Sequence, residues 1–312
     1  MRALVTGGTG FVGNHLVGEL RRKGWEVVCI ARRPLKTVDP GIVCLAGDLL
    51  QPDLLKYDKS EVGKIDVVFH LAAMLPNQLP AANLALYLTA NAVATNRLLE
   101  MTADWDIGSF VYISSLTIVG KPEYLPITEH HPVRPSHPYL IGKLCGELAC
   151  EMNRKNEHRN IFSLRVTSPY GPGMPSETVL NRFVRRSIHS EDLICFGTGQ
   201  RSQNFVHVDD VVLACLLAAE SNRPGVYNIG GCSSINMKAL AELIVRLTPG
   251  SHSQLLMGVS PDPQDDYRWE VDLTVAKSEI RYTPTVSLEQ GISRYIKFIQ
   301  SGSTNHQWWQ IQ

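Results

Sequence analysis

The sequence lacks any excess of charge and any long apolar run. Lys and Arg together number 30, as do Asp and Glu, so the formal net charge is zero, and no bulk field attracts the chain to nucleic acid or to an anionic membrane. No segment approaches the roughly 20 apolar residues of a membrane span. Glycines interrupt the first residues, MRALVTGGTGFVG, where a secretory signal would be apolar. We therefore expect a cytoplasmic protein that binds neither nucleic acid nor membrane.

The sequence also lacks paired cysteines. Its seven cysteines are scattered through apolar segments and none forms a C-x-x-C motif, so we expect reduced core thiols rather than a disulfide framework. The ten histidines are dispersed as well, and the pair His130 and His131 has only Glu129 beside it as a further ligand type. The spacing therefore predicts no metal site.

Short strands alternate with helices over the first half of the chain. Runs rich in β-formers occur at residues 3–6, 26–31, 42–46, 66–71, 110–114 and 162–166, and helical periodicity at residues 11–23, 83–103 and 139–155. This alternation predicts an α/β fold with a doubly wound parallel sheet, built from β-α-β units and buried on both faces. Beyond about residue 171, shorter elements in mixed order predict a smaller, interleaved mixed α/β domain.

Three glycines follow the first strand at a regular spacing. Gly7 permits a tight turn, Gly10 lets the backbone approach a pyrophosphate, and Gly13 lets the next helix pack on the strand. That helix begins near Phe11 and Val12, where its N-terminus supplies N–H donors and a positive dipole. The turn therefore predicts a Rossmann-type dinucleotide site. The predicted domains are an NAD(P)-binding domain at residues 1–170, with later elements returning to it at about 203–230, and a mainly substrate-binding domain at residues 171–312.

The end of the second strand predicts which dinucleotide binds. An NAD site would place an acidic residue there for the ribose 2'-hydroxyl, and this sequence has Ala31. Arg32 and Arg33 follow, and a guanidinium suits a 2'-phosphate that a carboxylate would repel. We therefore predict a preference for NADP(H), with NAD(H) as the alternative. After the third strand, Asp48 is placed to bind the adenine amine and Leu49 to contact the adenine ring.

A tyrosine and a lysine lie four residues apart on a predicted helix. Tyr139 and Lys143 therefore share one helix face. A nearby ammonium and a bound nicotinamide cation favour phenolate, so we expect the pKa of Tyr139 to be lowered from its ordinary value of about 10. Ser115, at the end of the fifth strand, can hydrogen-bond the same substrate oxygen. The three residues are predicted to hold an alcohol or carbonyl during hydride transfer.

These motifs resemble those of the extended short-chain dehydrogenase/reductases, the NAD-dependent epimerase/dehydratase family. The resemblance covers nearly the whole chain. In chain order it rests on TGGTGFVG, HLAA at 70–73, NAVATNRLLE, ISSLTIVG, the Y-x-x-x-K of YLIGK, LRVTSPYGPG, NFVHVDDV and VYNIGG. A match of this many motifs in one order is hard to obtain by chance.

The resemblance implies further site residues and a partner. Leu71, Ala72 and Ala73 would lie beside the adenine and ribose of the cofactor. Asn91 would shape the helix next to the catalytic lysine and hold a proton-relay water. The resemblance also implies a homodimer in which the helices at 83–103 and 138–155 pair with their copies.

The substrate half departs from the family pattern. Leu116 and Thr117 follow Ser115 where sugar dehydratases have an acidic pair, so a 4,6-dehydratase is disfavoured. Gln203 replaces the arginine of R-D-F-x-H-V that binds a substrate phosphate, and Ser168 replaces a usual asparagine. Two other arginines are then candidates for a diphosphate, Arg201 and Arg268.

Three functions remain open from the sequence. The first is an NADP(H)-dependent reductase that acts on one carbon of a sugar, a nucleotide-linked 4-ketosugar. The second is a nucleotide-sugar 4-epimerase that retains its cofactor through turnover. The third is a dinucleotide-sensing protein without catalysis, which intact Ser115, Tyr139 and Lys143 disfavour. The tail at 305–312 is expected to be a fraying end, with packing on a partner subunit as the alternative.

Overall fold

The structure, a computed structural model, describes residues 1–32, 35–37, 39–51, 57, 62–76, 83–156, 159–258, 260–302 and 309–311. Its strands are β1 (Arg2–Thr6), β2 (Glu26–Ala31), β3 (Leu35–Thr37), β4 (Ile42–Ala46), β5 (Val67–His70), β6 (Ser109–Ser115), β7 (Ile161–Val166), β8 (Ser168–Tyr170), β9 (Leu193–Cys195), β10 (Ser202–His207), β11 (Gly225–Ile229), β12 (Ser234–Asn236), β13 (Leu255–Met257) and β14 (Trp309–Ile311).

The helices alternate with these strands. They are α1 (Phe11–Arg22), α2 (Leu84–Leu88, a π-helical turn at Thr89–Val93, then Ala94–Met101), α3 (Pro138–Asn156), α4 (Val179–Ile188), α5 (Val208–Glu220), α6 (Met237–Leu247), α7 (Thr274–Glu279) and α8 (Leu288–Gln300). A short 3₁₀ turn, Leu116–Val119, follows β6. None of the described helices is long and apolar enough to cross a membrane.

Seven parallel strands form the central sheet, in the order β11-β7-β6-β5-β1-β2-β4. The chain moves outward from β1 through β2 to β4, then returns to β5 on the other side of β1 and moves outward again. The predicted doubly wound parallel sheet is confirmed. In such a sheet ligands bind where the strand order reverses, beyond the carboxyl ends of the strands, which here means beyond β1 and β5.

Both faces of the sheet are buried because successive side chains of a strand point to opposite faces. Ala3 and Val5 pack into the cluster that includes residues of α1 and α5, among them Leu16 and Val211. Leu4, between them, packs into the cluster on the opposite face with residues of α2 and α3. This burial on both faces explains why the strands are continuously apolar rather than alternating.

The later elements are interleaved with the central sheet. β8, β10 and β12 form a three-stranded sheet, and β9 pairs with β13. Helices α4, α6 and α8 pack over a third cluster that includes Phe183, Leu240 and Tyr295. After β10, helix α5 and strand β11 return to the large sheet, within the segment where the sequence predicts a return. The division into two domains at residue 170 stays a prediction.

Strand β14 pairs antiparallel with β3, in the register that places Trp309 opposite Thr37 and Ile311 opposite Leu35. The expectation of a fraying end is therefore wrong for residues 309–311. Backbone pairing between distant segments is a tertiary property, and local composition does not reveal it.

A buried ion pair joins the helix and the strands behind the carboxyl end of β6. Arg165 on β7 lies 2.7 Å from the Glu147 carboxylate on α3, and their side chains are 8% and 5% exposed. Ser114 Oγ donates to the same carboxylate at 2.7 Å. Arg165 also donates to the Glu129 carbonyl at 2.8 Å. The pair fixes α3 against β6 and β7 because each nitrogen of the guanidinium and both carboxylate oxygens are hydrogen-bonded.

Replacing only the cation of this pair should destabilise the fold strongly. Arg165→Met leaves the Glu147 carboxylate buried without its partner, which we expect to lower the free energy of unfolding by about 3 to 5 kcal/mol. The double variant Arg165→Met, Glu147→Met should recover part of that loss. Urea denaturation measures the free energy of unfolding of both variants. A double variant no more stable than the single one would contradict the stabilising role of the ion pair.

Candidate active site

One cleft of about 790 Å³ opens beyond the carboxyl ends of the central strands. Its volume lies within the range of cofactor and substrate sites in proteins. It brings together most of the residues that the sequence predicts for cofactor, catalysis and substrate, namely Gly7, Gly10, Phe11, Val12, Gly13, Arg32, Asp48, Leu49, Leu71, Ala72, Ala73, Ser115, Tyr139, Lys143, Ser168, Arg201 and Gln203.

The glycine turn after β1 leaves no room for side chains. Gly7 has φ +73°, and a Cβ there would lie 2.6 Å from the Ala72 backbone nitrogen. A Cβ on Gly13 would lie 2.1 Å from the Gly7 carbonyl oxygen. Helix α1 begins at Phe11 directly after Gly10, so its first N–H groups face the cleft with the positive end of the helix dipole. The turn fits the pyrophosphate of a dinucleotide.

The adenosine end of the cleft is lined by residues that follow β2 and β4. Ala31, the last residue of β2, and the exposed Arg32 after it line this end, as do Asp48 and Leu49 after β4. Asp48 Oδ1 accepts a hydrogen bond from the Leu50 backbone at 2.9 Å, which orients its carboxylate. The predicted cofactor residue Arg33 lies outside the described residues.

Asn91 lies beneath the cleft rather than in its lining. It is 1% exposed and occupies the π-helical turn of α2. Its side chain accepts from the Met74 N–H at 2.8 Å and donates to the Met74 carbonyl at 3.1 Å. Asn91 therefore anchors the backbone of the segment that continues from Leu71, Ala72 and Ala73 along the cleft.

His70 is a supporting residue to which sequence reasoning gave no role. Its Nδ1 lies 2.7 Å from Thr6 Oγ1 and its Nε2 lies 2.9 Å from Thr95 Oγ1. Thr95 donates its hydroxyl proton to the Asn91 carbonyl at 2.7 Å, so His70 Nε2 must donate to Thr95 and Nδ1 must accept from Thr6. Burial lowers the pKa of His70 to about 3. The neutral ring thus ties β1, β5 and α2 together.

The candidate reaction centre lies where β6 ends and α3 begins. Tyr139 and Lys143 occupy the first turns of α3, and Ser115 ends β6. Lys143 Nζ donates to the Ile113 carbonyl at 2.6 Å and lies 4.8 Å from the centre of the Tyr112 ring. The lysine is thereby held at the carboxyl end of β6, next to Ser115.

Burial dominates the titration of the two α3 residues. It raises the pKa of Tyr139 to about 12 and lowers the pKa of Lys143 to about 7, since each charged form loses its hydration. The sequence predicted a lowered pKa for Tyr139. The residues of the chain do not lower this pKa, because burial of the Tyr139 hydroxyl disfavours the phenolate.

The substrate candidates meet at the mouth of a smaller adjoining cavity. Ser168 and Gln203 form a hydrogen bond between their side chains, and both line this cavity together with Arg201. Arg268 is not brought there, because its guanidinium donates to the backbone carbonyls of Asp265 at 2.9 Å and Tyr267 at 3.0 Å. The prediction that Arg268 contacts substrate has no support in this geometry.

The cleft is also lined by residues to which the sequence analysis gave no functional role, among them Arg182 and Thr117. Arg182, exposed on α4, lines the main cleft, and no motif marks it. Thr117 Oγ1 lies 2.7 Å from Ser115 Oγ, and its place two residues after the predicted catalytic serine was the available signal. Among the described residues no cluster of three His, Cys, Asp or Glu side chains could hold a metal ion.

Known proteins are similar to this chain in both sequence and fold. A putative UDP-glucose 4-epimerase of Methanocaldococcus jannaschii is 27% identical over 307 residues, which cover 96% of this chain and 99% of that protein. The structure is similar to UDP-glucose 4-epimerase from Thermotoga maritima with UDP-glucose, with a TM-score of 0.87, 26% identity and coverage of 97% and 99% of the two chains. It is also similar to UDP-glucuronic acid 4-epimerase from Bacillus cereus in complex with UDP-glucuronic acid and NAD, with a TM-score of 0.82, 26% identity and coverage of 97% and 100%.

The family assignment follows from the extent of the match. The NAD dependent epimerase/dehydratase family matches residues 3–230, which include the glycine turn, the helix with Tyr139 and Lys143, and the return of β11 to the sheet. This segment is more than half of the chain. The chain belongs to the NAD dependent epimerase/dehydratase family.

Proposed function

We propose that this enzyme is a nucleotide-sugar 4-epimerase that moves hydride at one carbon of its substrate. The observation that carries the proposal is the convergence of Ser115, Tyr139 and Lys143 in one cleft with the glycine turn. The sequence analysis favoured a reductase and kept the epimerase as the alternative. We place the epimerase first because a putative UDP-glucose 4-epimerase and two solved 4-epimerases are among the similar proteins. dTDP-glucose 4,6-dehydratases are similar as well, for example one of Streptomyces niveus at 26% identity.

The residues of the chain divide the chemistry among them. A bound nicotinamide dinucleotide would take up a hydride from the sugar carbon and return it. Tyr139 Oη would exchange the proton of the reacting hydroxyl, and Ser115 Oγ would hold the same oxygen. Lys143 would bind the cofactor ribose, and its partial charge near neutral pH would be reinforced by the positive nicotinamide in favouring the phenolate.

Dehydration is disfavoured by the charges in the cleft. Elimination of water from a sugar needs a general acid beside the reacting carbons. Among the described lining residues the one carboxylate is Asp48, which lies at the adenosine end of the cleft. The two residues after Ser115, Leu116 and Thr117, are not acidic. The lining therefore supports hydride chemistry without elimination.

A 4-ketosugar reductase is the second candidate, and Arg32 favours it. A guanidinium at the end of β2, with Ala31 in place of an acid, fits the 2'-phosphate of NADP(H). NADPH serves reductive reactions, whereas the B. cereus epimerase binds NAD. We therefore propose NADP(H) as the preferred cofactor, with NAD(H) as the alternative.

The partner that we propose is a second copy of the chain. Leu86 and Val93 of α2 and Leu148 and Met152 of α3 are 51%, 41%, 53% and 63% exposed. Since α2 packs against α3, large apolar side chains concentrate on one pair of helices, which is typical of a subunit interface. The cytoplasmic location expected from the sequence stays a prediction.

Removing the Tyr139 hydroxyl should stop turnover without loosening the fold. Tyr139→Phe keeps the ring, so the melting temperature and cofactor affinity should stay near wild type while kcat falls by at least about 100-fold. The assay follows UDP-glucose and UDP-galactose by chromatography with no added cofactor. A second assay adds a nucleotide-linked 4-ketosugar and NADPH to the protein. It follows the NADPH absorbance at 340 nm and so tests for reductase activity. Full activity of Tyr139→Phe would contradict the mechanism, and NADPH consumed one for one would select the reductase.

The cofactor preference depends on the arginines after β2. Replacing Arg32 and Arg33 by Ala should weaken NADP(H) binding by about 1 to 3 kcal/mol and leave NAD(H) binding nearly unchanged, since only the 2'-phosphate contact is lost. Arg182 is an exposed arginine elsewhere in the cleft. The control variant Arg182→Ala should not alter the ratio of the NADP(H) affinity to the NAD(H) affinity. Fluorescence titration measures the affinity of each protein for NADP(H) and for NAD(H). A wild type that binds them equally would refute the NADP(H) preference.

The dimer should depend on the exposed α3 side chains. Leu148→Glu with Met152→Glu places two charges in the proposed interface, so the chain should sediment as a monomer at micromolar concentration. Val275→Glu, on the exposed surface of α7, is the matched control and should remain dimeric. A wild-type protein that is monomeric at the same concentration would contradict the proposed dimer.

A further inference from the structure

A small cavity of about 110 Å³ adjoins the reaction centre, and we call it the side cavity. Thr117 lines both it and the main cleft, and Thr117 Oγ1 lies 2.7 Å from Ser115 Oγ. The Ser115 hydroxyl marks the proposed position of the reacting oxygen. The side cavity therefore begins one hydroxyl group away, where the substituents on the carbons next to the reacting carbon must lie.

The lining of the side cavity carries no free charge. In the part of the chain that the structure describes, Arg201 is its one ionic side chain, among hydroxyl, amide, apolar and aromatic groups. Arg201 Nε lies 3.0 Å from the Asp262 carboxylate, and the two side chains are 26% and 10% exposed. Its guanidinium also donates to Gln264 Oε1 at 3.3 Å. The positive charge is thus neutralised within the chain.

The segment that borders the side cavity is acidic. Gln264, Tyr267 and Trp269 line the cavity, and residues 262–270 contain four acidic residues and one arginine. Among these acids, Asp266 pairs with Lys121.

Asp265 lies in the same segment and keeps its charge. Its carboxylate accepts the Thr198 N–H at 2.8 Å, a hydrogen bond that lowers the pKa of Asp265. A substrate carboxylate in the side cavity would find its one cation, Arg201, already paired with Asp262.

We propose that the side cavity selects sugars whose substituents beside the reacting carbon are uncharged, such as a hydroxymethyl group, and rejects uronic acids. The inference rests on the proposed function, since it concerns the sugar of the same site. Solved relatives bind UDP-glucose in one case and UDP-glucuronic acid in another, so family membership alone leaves this choice open. Hydroxyl and amide groups such as those of Ser136 and Gln203 can both donate to and accept from neutral sugar hydroxyls, whereas a desolvated carboxylate needs a cation.

The test measures binding and turnover separately. Calorimetric titration of the purified protein with UDP-glucose and with UDP-glucuronic acid should give at least about 100-fold tighter binding of the neutral sugar. Asp262→Asn should lower this ratio by at least about 10-fold, because Arg201 then becomes available to a substrate carboxylate. The amide oxygen of Asn can still accept the hydrogen bond that Asp262 receives from the Gln264 backbone. Asp266→Asn, in the same segment but outside the lining, is the matched control and should leave the ratio unchanged.

Each outcome separates this inference from the proposed function. Equal binding of the two sugars with normal epimerisation would overturn the selectivity and leave the function standing. Selective binding of UDP-glucose without turnover would support the selectivity and overturn the epimerase. Binding of neither sugar would overturn both, and an unchanged ratio in Asp262→Asn would overturn the role of the ion pair.

Discussion

The close approach of two backbones at the centre of the sheet is the constraint on which the rest of the site depends. The turn after β1 lies so near the segment after β5 that a Cβ on Gly7 would lie 2.6 Å from the Ala72 nitrogen. This contact sets the floor of the cleft, and the N-terminus of α1 can face the pyrophosphate position only because Gly7 and Gly13 have no side chains. A parallel sheet with reversed strand order brings the two segments together.

Buried polar groups hold the walls of that cleft in place. The chain of hydrogen bonds from Thr6 through His70 to Thr95 connects the two central strands to α2, and Asn91 continues it to Met74. On the other side, the Glu147–Arg165 pair fixes α3, which carries Tyr139 and Lys143. Since these groups are desolvated and satisfied, a displacement of either wall would leave charges or donors unpaired.

Local motifs predicted the fold and many of the residues that line the cleft. Gly7, Ser115 and Tyr139 belong to short patterns whose geometry follows from one strand end or one helix turn, and all three line it. The substrate half depends on loops between short elements, whose shape is set by tertiary contacts. Arg268, for example, does not line the cleft or the side cavity, and it donates to backbone carbonyls of its own segment. The pKa of Tyr139 was missed because burial cannot be read from spacing.

The return of α5 and β11 to the central sheet has a consequence for synthesis on the ribosome. The cluster beneath α1 includes Val211 and Cys215 of α5 and Ile229 of β11, which are made long after β1. A nascent chain that has emerged only as far as residue 170 would expose the apolar face that these residues later cover. The same cluster also includes Ala276, Ile280 and Tyr282. Folding of the segment up to residue 170 therefore cannot be completed during its own translation and must wait for about 110 further residues, roughly 6 to 22 seconds at ordinary elongation rates.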